Sequence, residues 1–176
     1  AGGSAFCGGD ALLPGFYLNE LLMKLLPRHD PHPVLFEAYA DTLRALADEY
    51  GFPLIVSTHP RTRKRLEALG ESLEHPLIRF SKPFGLLDYI KLQMNALCVL
   101  SDSGTITEEA SLLNLPAVTL RNAHERPEGM DQGTLIMSGL KKDSVLAAVK
   151  VITRQHQAGA RVIPLVPDYE GGPVSL

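Results

Sequence analysis

Apolar positions along this chain change their period repeatedly, and the changes mark out alternating helices and strands. Between residues 34 and 50, Leu35, Ala38, Tyr39, Leu43, Leu46 and Ala47 recur every three or four residues and Gly51 follows as a stop. That spacing predicts an amphipathic helix with a glycine C-terminus. Earlier, Phe16, Leu18, Leu21, Leu22, Leu25 and Leu26 recur at a similar spacing and Pro27 ends the pattern, which predicts a first helix. Short, nearly continuous apolar runs at 53–57, 77–80, 96–100 and 116–121, with a briefer one at 135–137, read as strands. Helices are expected at 61–69, 86–95, after residue 105, and at 143–155. Strands such as Leu54-Ile55-Val56, apolar on both sides, belong to parallel sheets covered on both faces by helices, so the expected fold class is α/β. The Gly-rich opening lacks periodicity, and residues 1–15 are expected to form a flexible leader before a single domain over 16–176. No internal repeat is visible.

Composition narrows the partners. With 176 residues and 45% hydrophobic content, the chain can bury a sizeable core. Seventeen basic against twenty acidic residues give a formal charge of −3, which offers no general field for nucleic acid or an anionic membrane. Any anionic ligand must therefore be held locally. No run approaches the ~20 apolar residues of a membrane span and no basic-then-apolar leader is visible, so a cytoplasmic location is expected. Cys7 and Cys98 are too few for a disulfide framework or a four-ligand zinc site, and His29, His32, His75 and His156 lack ligand spacing. Neither a metal nor a cofactor is expected.

Candidate chemistry gathers where strands end. Residues 101–109 read Ser-Asp-Ser-Gly-Thr-Ile-Thr-Glu-Glu; they follow the apolar run ending at Leu100 and lead into a helix. Helix N-termini carry unpaired N–H groups and a partial positive charge, and Ser103 and Gly104 leave room for an anionic oxygen. Many α/β proteins use Ser-Gly turns only to start helices, with Ser103 as a cap. A second strand end, residues 122–130, places His124, Glu125, Arg126 and Glu128 close together, and ordering so many ionisable groups is costly unless they face solvent or a ligand. Pro127 suits the first position of a short helix.

Together, residues 101–109 and His124-Glu125-Arg126-Pro127-Glu128-Gly129 resemble the nucleotide-binding half of the non-hydrolysing UDP-N-acetylglucosamine 2-epimerase family. The likeness extends through residues 55–63 (Ile-Val-Ser-Thr-His-Pro-Arg-Thr-Arg), 82–85 (Lys-Pro-Phe-Gly), Asp88-Tyr89 and 166–169 (Val-Pro-Asp-Tyr), covering residues 34 to 175. Thr105, where many members carry a second glycine, together with His124 and Gly129, is similar to the branch that acts on UDP-activated 6-deoxy-hexosamines for surface polysaccharides. The resemblance implies a Rossmann-like sheet forming the second domain of a glycosyltransferase-B-type architecture. It also implies C2 epimerisation of a UDP-N-acetylhexosamine, by loss of the C2 proton and departure of UDP followed by readdition.

Residue by residue, the resemblance implies that His59, Ser103, Gly104 and Arg126 meet the diphosphate, that the backbone at Phe84 pairs with uracil in a loop shaped by Pro83 and Gly85, and that Glu109 accepts from ribose hydroxyls. His124 and Glu125 are supporting residues. Blander readings stand beside each: His59 begins a basic surface cluster, Phe84 is a turn aromatic, Glu109 faces solvent, and Arg126 pairs with Glu125 or Glu128. The family's proton-transfer carboxylates belong largely to a preceding α/β domain, so catalytic residues cannot be assigned here. His29-Asp30-Pro31-His32 does not reproduce the family's His-Arg-rich turn, and its first strand has no clear counterpart between Pro27 and Leu35. The chain is therefore expected to be a partial copy of a two-domain enzyme, inactive alone and partnered by the missing domain and by a second copy in a homodimer. Two alternatives remain: a glycosyltransferase of the same architecture, and a non-catalytic nucleotide-sugar-binding domain.

Overall fold

The computed structural model describes residues 15–19, 33–57, 74–121, 133 and 135–156, with side chains described from residue 37 onward. Six strands form one sheet: β1 (Gly15–Asn19), β2 (Leu54–Ser57), β3 (Ile78–Ser81), β4 (Ala96–Ser101), β5 (Ala117–Thr119) and β6 (Ile136–Met137). Four helices accompany them: α1 (Pro33–Tyr50), α2 (Leu86–Met94), α3 (Ile106–Leu113) and α4 (Lys142–Gln155). All strand pairs are parallel, in the order β3-β2-β1-β4-β5-β6. This is the order of a doubly wound dinucleotide-binding sheet, whose direction of winding reverses between β1 and β4.

One expected element is wrong. Residues 16–19 belong to the strand at the centre of the sheet, not to a helix, with β1 paired to β2 on one side and β4 on the other. Phe16-Tyr17-Leu18 is a short apolar run, which periodicity alone cannot distinguish from a turn of buried helix. Ladders on both sides decide it, because a parallel strand buried on both faces is apolar without alternation. Gly15 opens this strand; the rest of the expected leader, and the helix expected at 61–69, lie outside the described residues.

Alternation along the strands divides the core into two layers. Leu54, Val56, Cys98, Leu100 and Val118 point to one face and pack with Leu43, Leu46 and Ala47 of α1 and Val145, Val149 and Ile152 of α4. Ile55, Val99 and Ala117 point to the other, where they meet Ile106 and Ala110 of α3 and Tyr89 and Leu92 of α2. Helices thus cover both faces. Gly51 ends α1 at φ +67°, its N–H bonded to the Ala47 carbonyl at 2.9 Å, as the expected stop requires. α3 ends on Asn114 at φ 55°, and the Leu115 N–H returns to the Ala110 carbonyl at 3.1 Å.

Candidate functional site

The sheet's carboxyl edge is polar in one register row. Ser81, Ser57, Asn19, Ser101 and Thr119 stand side by side across five neighbouring strands, each the last residue of its strand. By alternation Ser81, Ser57, Ser101 and Thr119 of this row lie on the α2/α3 face, opposite the face of Leu54, Leu100 and Val118. Ser57, Ser101 and Thr119 are buried there. Buried hydroxyls at the ends of otherwise apolar strands must find partners, and Ser101 does so in the turn that follows: its Oγ accepts from the Ser103 N–H at 3.1 Å.

That turn lies at the crevice where the strand order reverses, the place ligands occupy in open α/β sheets. It is braced three ways. The Leu120 N–H donates to the Ser101 carbonyl at 3.0 Å. Arg121 Nε donates to the Asp102 carbonyl. The Ser103 and Thr105 hydroxyls lie 2.9 Å apart. α3 then begins at Ile106, and its N-cap residue Thr105 makes no side-chain capping bond; the Ile106 N–H turns back to the Ser103 carbonyl at 3.4 Å. The Ser103 Oγ accepts from the Thr105 N–H at 3.4 Å, just ahead of the first helical residue. Ser103 and Gly104 are half-buried and Thr105 is exposed, which places the turn at an accessible surface.

Glu109 stands one turn into α3, half-buried, and is held by two donors from α2. The Tyr89 hydroxyl donates to its Oε2 at 2.7 Å and the Gln93 amide nitrogen donates to the same oxygen at 2.5 Å. Both bonds end on Oε2, so Oε1 is the oxygen they leave for another donor. Glu109 is therefore not a freely moving surface glutamate. Phe84 leaves the end of β3 and packs, half-buried, in the same cluster as Ile106 and Tyr89, so its loop crosses toward α3. Gly85 does not shape that loop by conformational freedom: φ −66° and ψ 159° suit any residue, and an added Cβ would meet nothing within 4 Å.

The structure thus brings Phe84, Ser103, Gly104 and Glu109 to one side of the sheet. His59, His124, Glu125 and Arg126 lie outside the described residues, although their positions in sequence follow the ends of β2 and β5. Three contributors escaped the sequence reading: Tyr89 and Gln93, which grip Glu109, and Arg121, which braces the turn. A signal existed for one of them. Gln93 interrupts the apolar face of a short helix, where a fully buried amide needs a partner. Cys98 lies fully buried between core layers and burial pushes its thiol far above the usual range, so it holds no role at this edge. Among the described residues, no group of acidic, His or Cys side chains is arranged to hold a metal ion, and no helix is long and apolar enough to cross a membrane.

A parallel sheet wound in this order, with a braced Ser-Gly turn entering a helix at the reversal point, defines a doubly wound, Rossmann-like α/β domain. Residues 25–175 match the family described as UDP-N-acetylglucosamine 2-epimerase, and the chain belongs to that family. Over 119 residues it is 34% identical to the UDP-N-acetylglucosamine 2-epimerase of Methanococcus maripaludis, a match that spans 66% of this chain and 32% of that protein. Among solved structures it superposes on an enzyme of the same name from Rickettsia bellii with TM-score 0.76 and 53% identity, covering 88% of this chain and 39% of the other. The Methanocaldococcus jannaschii enzyme, solved in complex with UDP-GlcNAc and UDP, gives TM-score 0.71 and 26% identity, with 90% of this chain and 44% of that one covered. A separate, short likeness is to the DNA repair protein RecO of a Polaromonas species, 62% identical over 48 residues, or 27% of this chain and 19% of that protein. The chain spans about a third of the length of the curated epimerases it matches.

Proposed function

We propose that this chain supplies the UDP site of a two-domain epimerase that inverts C2 of a UDP-N-acetylhexosamine. The observation that carries the reading is the geometry at the β1/β4 reversal: a braced Ser103-Gly104 turn leading straight into α3, and a fixed carboxylate one turn further in. Backbone amides there suit a diphosphate, and Glu109 Oε1 suits a ribose hydroxyl placed beyond it. Uracil lies along the Phe84 loop. His59 and Arg126 complete the charge balance of the diphosphate, with His124 and Glu125 in support. The likeness to the M. jannaschii enzyme solved with UDP-GlcNAc and UDP supports a ligand of this class.

The chain's share of the solved relatives, 39% and 44% of their lengths, supports assigning the rest of the reaction to another domain, with this one as the C-terminal half. That domain carries the base that takes the C2 proton while the C1–O bond to UDP breaks. Reprotonation on the opposite face and return of UDP then complete an isomerisation with no net change in oxidation. The finer reading, a 6-deoxy-hexosamine substrate for surface polysaccharide, rests on Thr105, His124 and Gly129.

Calorimetry with UDP and UDP-GlcNAc on the 176-residue chain tests the site. Micromolar affinity, about −8 kcal/mol, is expected, and Arg126→Ala should cost about 1.5–3 kcal/mol through the lost charged contact. A folded sample that binds neither nucleotide contradicts the proposal. For the whole enzyme, exchange of the C2 hydrogen with deuterated solvent in the absence of an acceptor separates epimerase from glycosyltransferase.

A further inference from the structure

We infer that Tyr89 and Gln93 are positioning residues that set ribose recognition by fixing the Glu109 carboxylate, an inference that rests on the UDP reading of the site. Gln93 is fully buried on α2. Its amide is turned so that Nε2 meets Glu109 Oε2 at 2.5 Å, and in that orientation its Oε1 is buried with no hydrogen-bond partner among the described residues. The flipped amide would set one oxygen against a carboxylate oxygen. Among the described residues, the amide orientation thus answers Glu109 and leaves its own acceptor unanswered.

Tyr89 adds a second donor to the same oxygen at 2.7 Å from one turn earlier on α2. Two donors converging on Oε2 lock the carboxylate's rotation and draw charge toward the protein side. Oε1 is left as the oxygen available to another donor. A mobile glutamate would have to be ordered on each binding event, at an entropic cost that these contacts remove beforehand.

The test compares affinity for UDP with affinity for 2′,3′-dideoxy-UDP, by calorimetry on the full chain, for the unaltered protein and for Tyr89→Phe and Gln93→Met. The unaltered protein should prefer UDP about tenfold or more, the share of a charged hydrogen bond to ribose. Each variant should reduce that preference to about two- or threefold by weakening UDP alone, while its melting temperature stays within a few degrees of the parent. Variants that keep the parent's preference, or that lose both ligands equally, overturn the positioning role while leaving the UDP site standing. A parent that shows no preference for UDP removes the ribose reading of Glu109 and this inference with it. Should Gln93→Met fail to fold, Tyr89→Phe, which keeps its ring in the cluster with Leu92 and Ala110, decides the question alone.

Discussion

Removing the Glu109 carboxylate should destabilise the protein even with no nucleotide present. Glu109→Ala strips the acceptor from two donors, and their surroundings differ. The Tyr89 hydroxyl is on a half-buried side chain and can turn to water, so its loss costs about 0.5–1 kcal/mol. Gln93 is fully buried, its Oε1 has no partner among the described residues, and its Nε2 would lose the one it has, adding about 1–3 kcal/mol. The sum, roughly 1.5–4 kcal/mol, corresponds to a fall in Tm of roughly 3–16 °C for a domain of this size. Thermal and urea unfolding followed by circular dichroism measure it directly. The double variant Glu109→Ala, Gln93→Met removes the stranded amide together with its lost acceptor and should recover at least ~1 kcal/mol of the deficit, a coupling that a mutant cycle isolates. A Glu109→Ala protein melting within about 1 °C of the parent would refute the reasoning, because it would mean that the α2–α3 contacts are not formed in solution.

Gly51→Ala should cost about 1 kcal/mol, since φ +67° is unfavourable for any side chain although nothing lies within 4 Å of the new Cβ, whereas Gly85→Ala at φ −66° should be neutral or stabilise by about 0.4–1 kcal/mol; urea midpoints compare the two. Cys98, its thiol held protonated by burial, should resist alkylation at pH 8 in the native protein and react in urea, as peptide mass spectrometry would show; native labelling of Cys98 would mean that the two-layer core opens readily. Arg121→Ala should lower stability by about 1–2 kcal/mol and weaken UDP binding severalfold, because the Asp102 carbonyl loses its guanidinium donor and the turn entering α3 loosens; unchanged UDP affinity would detach that brace from the site.

Much of the architecture was legible because buried strands and amphipathic helices leave different periods. α1, α2 and α4 fall within a residue or so of the ranges their apolar stripes predict, and β2 to β6 coincide with short apolar runs. β1 was not legible. Its Phe16-Tyr17-Leu18 core continues into a leucine-rich stretch at helical spacing, and only pairing with β2 and β4, strands 35 or more residues away, identifies it. The Ser103-Gly104 turn and Glu109 were readable as a strand-turn-helix motif, since all lie within one short segment. Tyr89 and Gln93 were not, because their bonds to Glu109 join residues 20 and 16 positions apart and depend on how α2 crosses α3. The importance attached to Gly85 came from residue type alone, and the backbone at that position is one any residue adopts.

The central claim, that a nucleotide diphosphate docks where β4 turns into α3, is tested most directly by amide NMR of the 15N-labelled chain titrated with UDP, which a protein of 19.2 kDa permits. The account predicts saturable shifts concentrated in the amides of residues 102–107, with smaller ones at Phe84 and Glu109, at a midpoint in the micromolar range. Absence of shifts in a well-dispersed spectrum, or shifts confined to α1 and α4 on the opposite face, would contradict it.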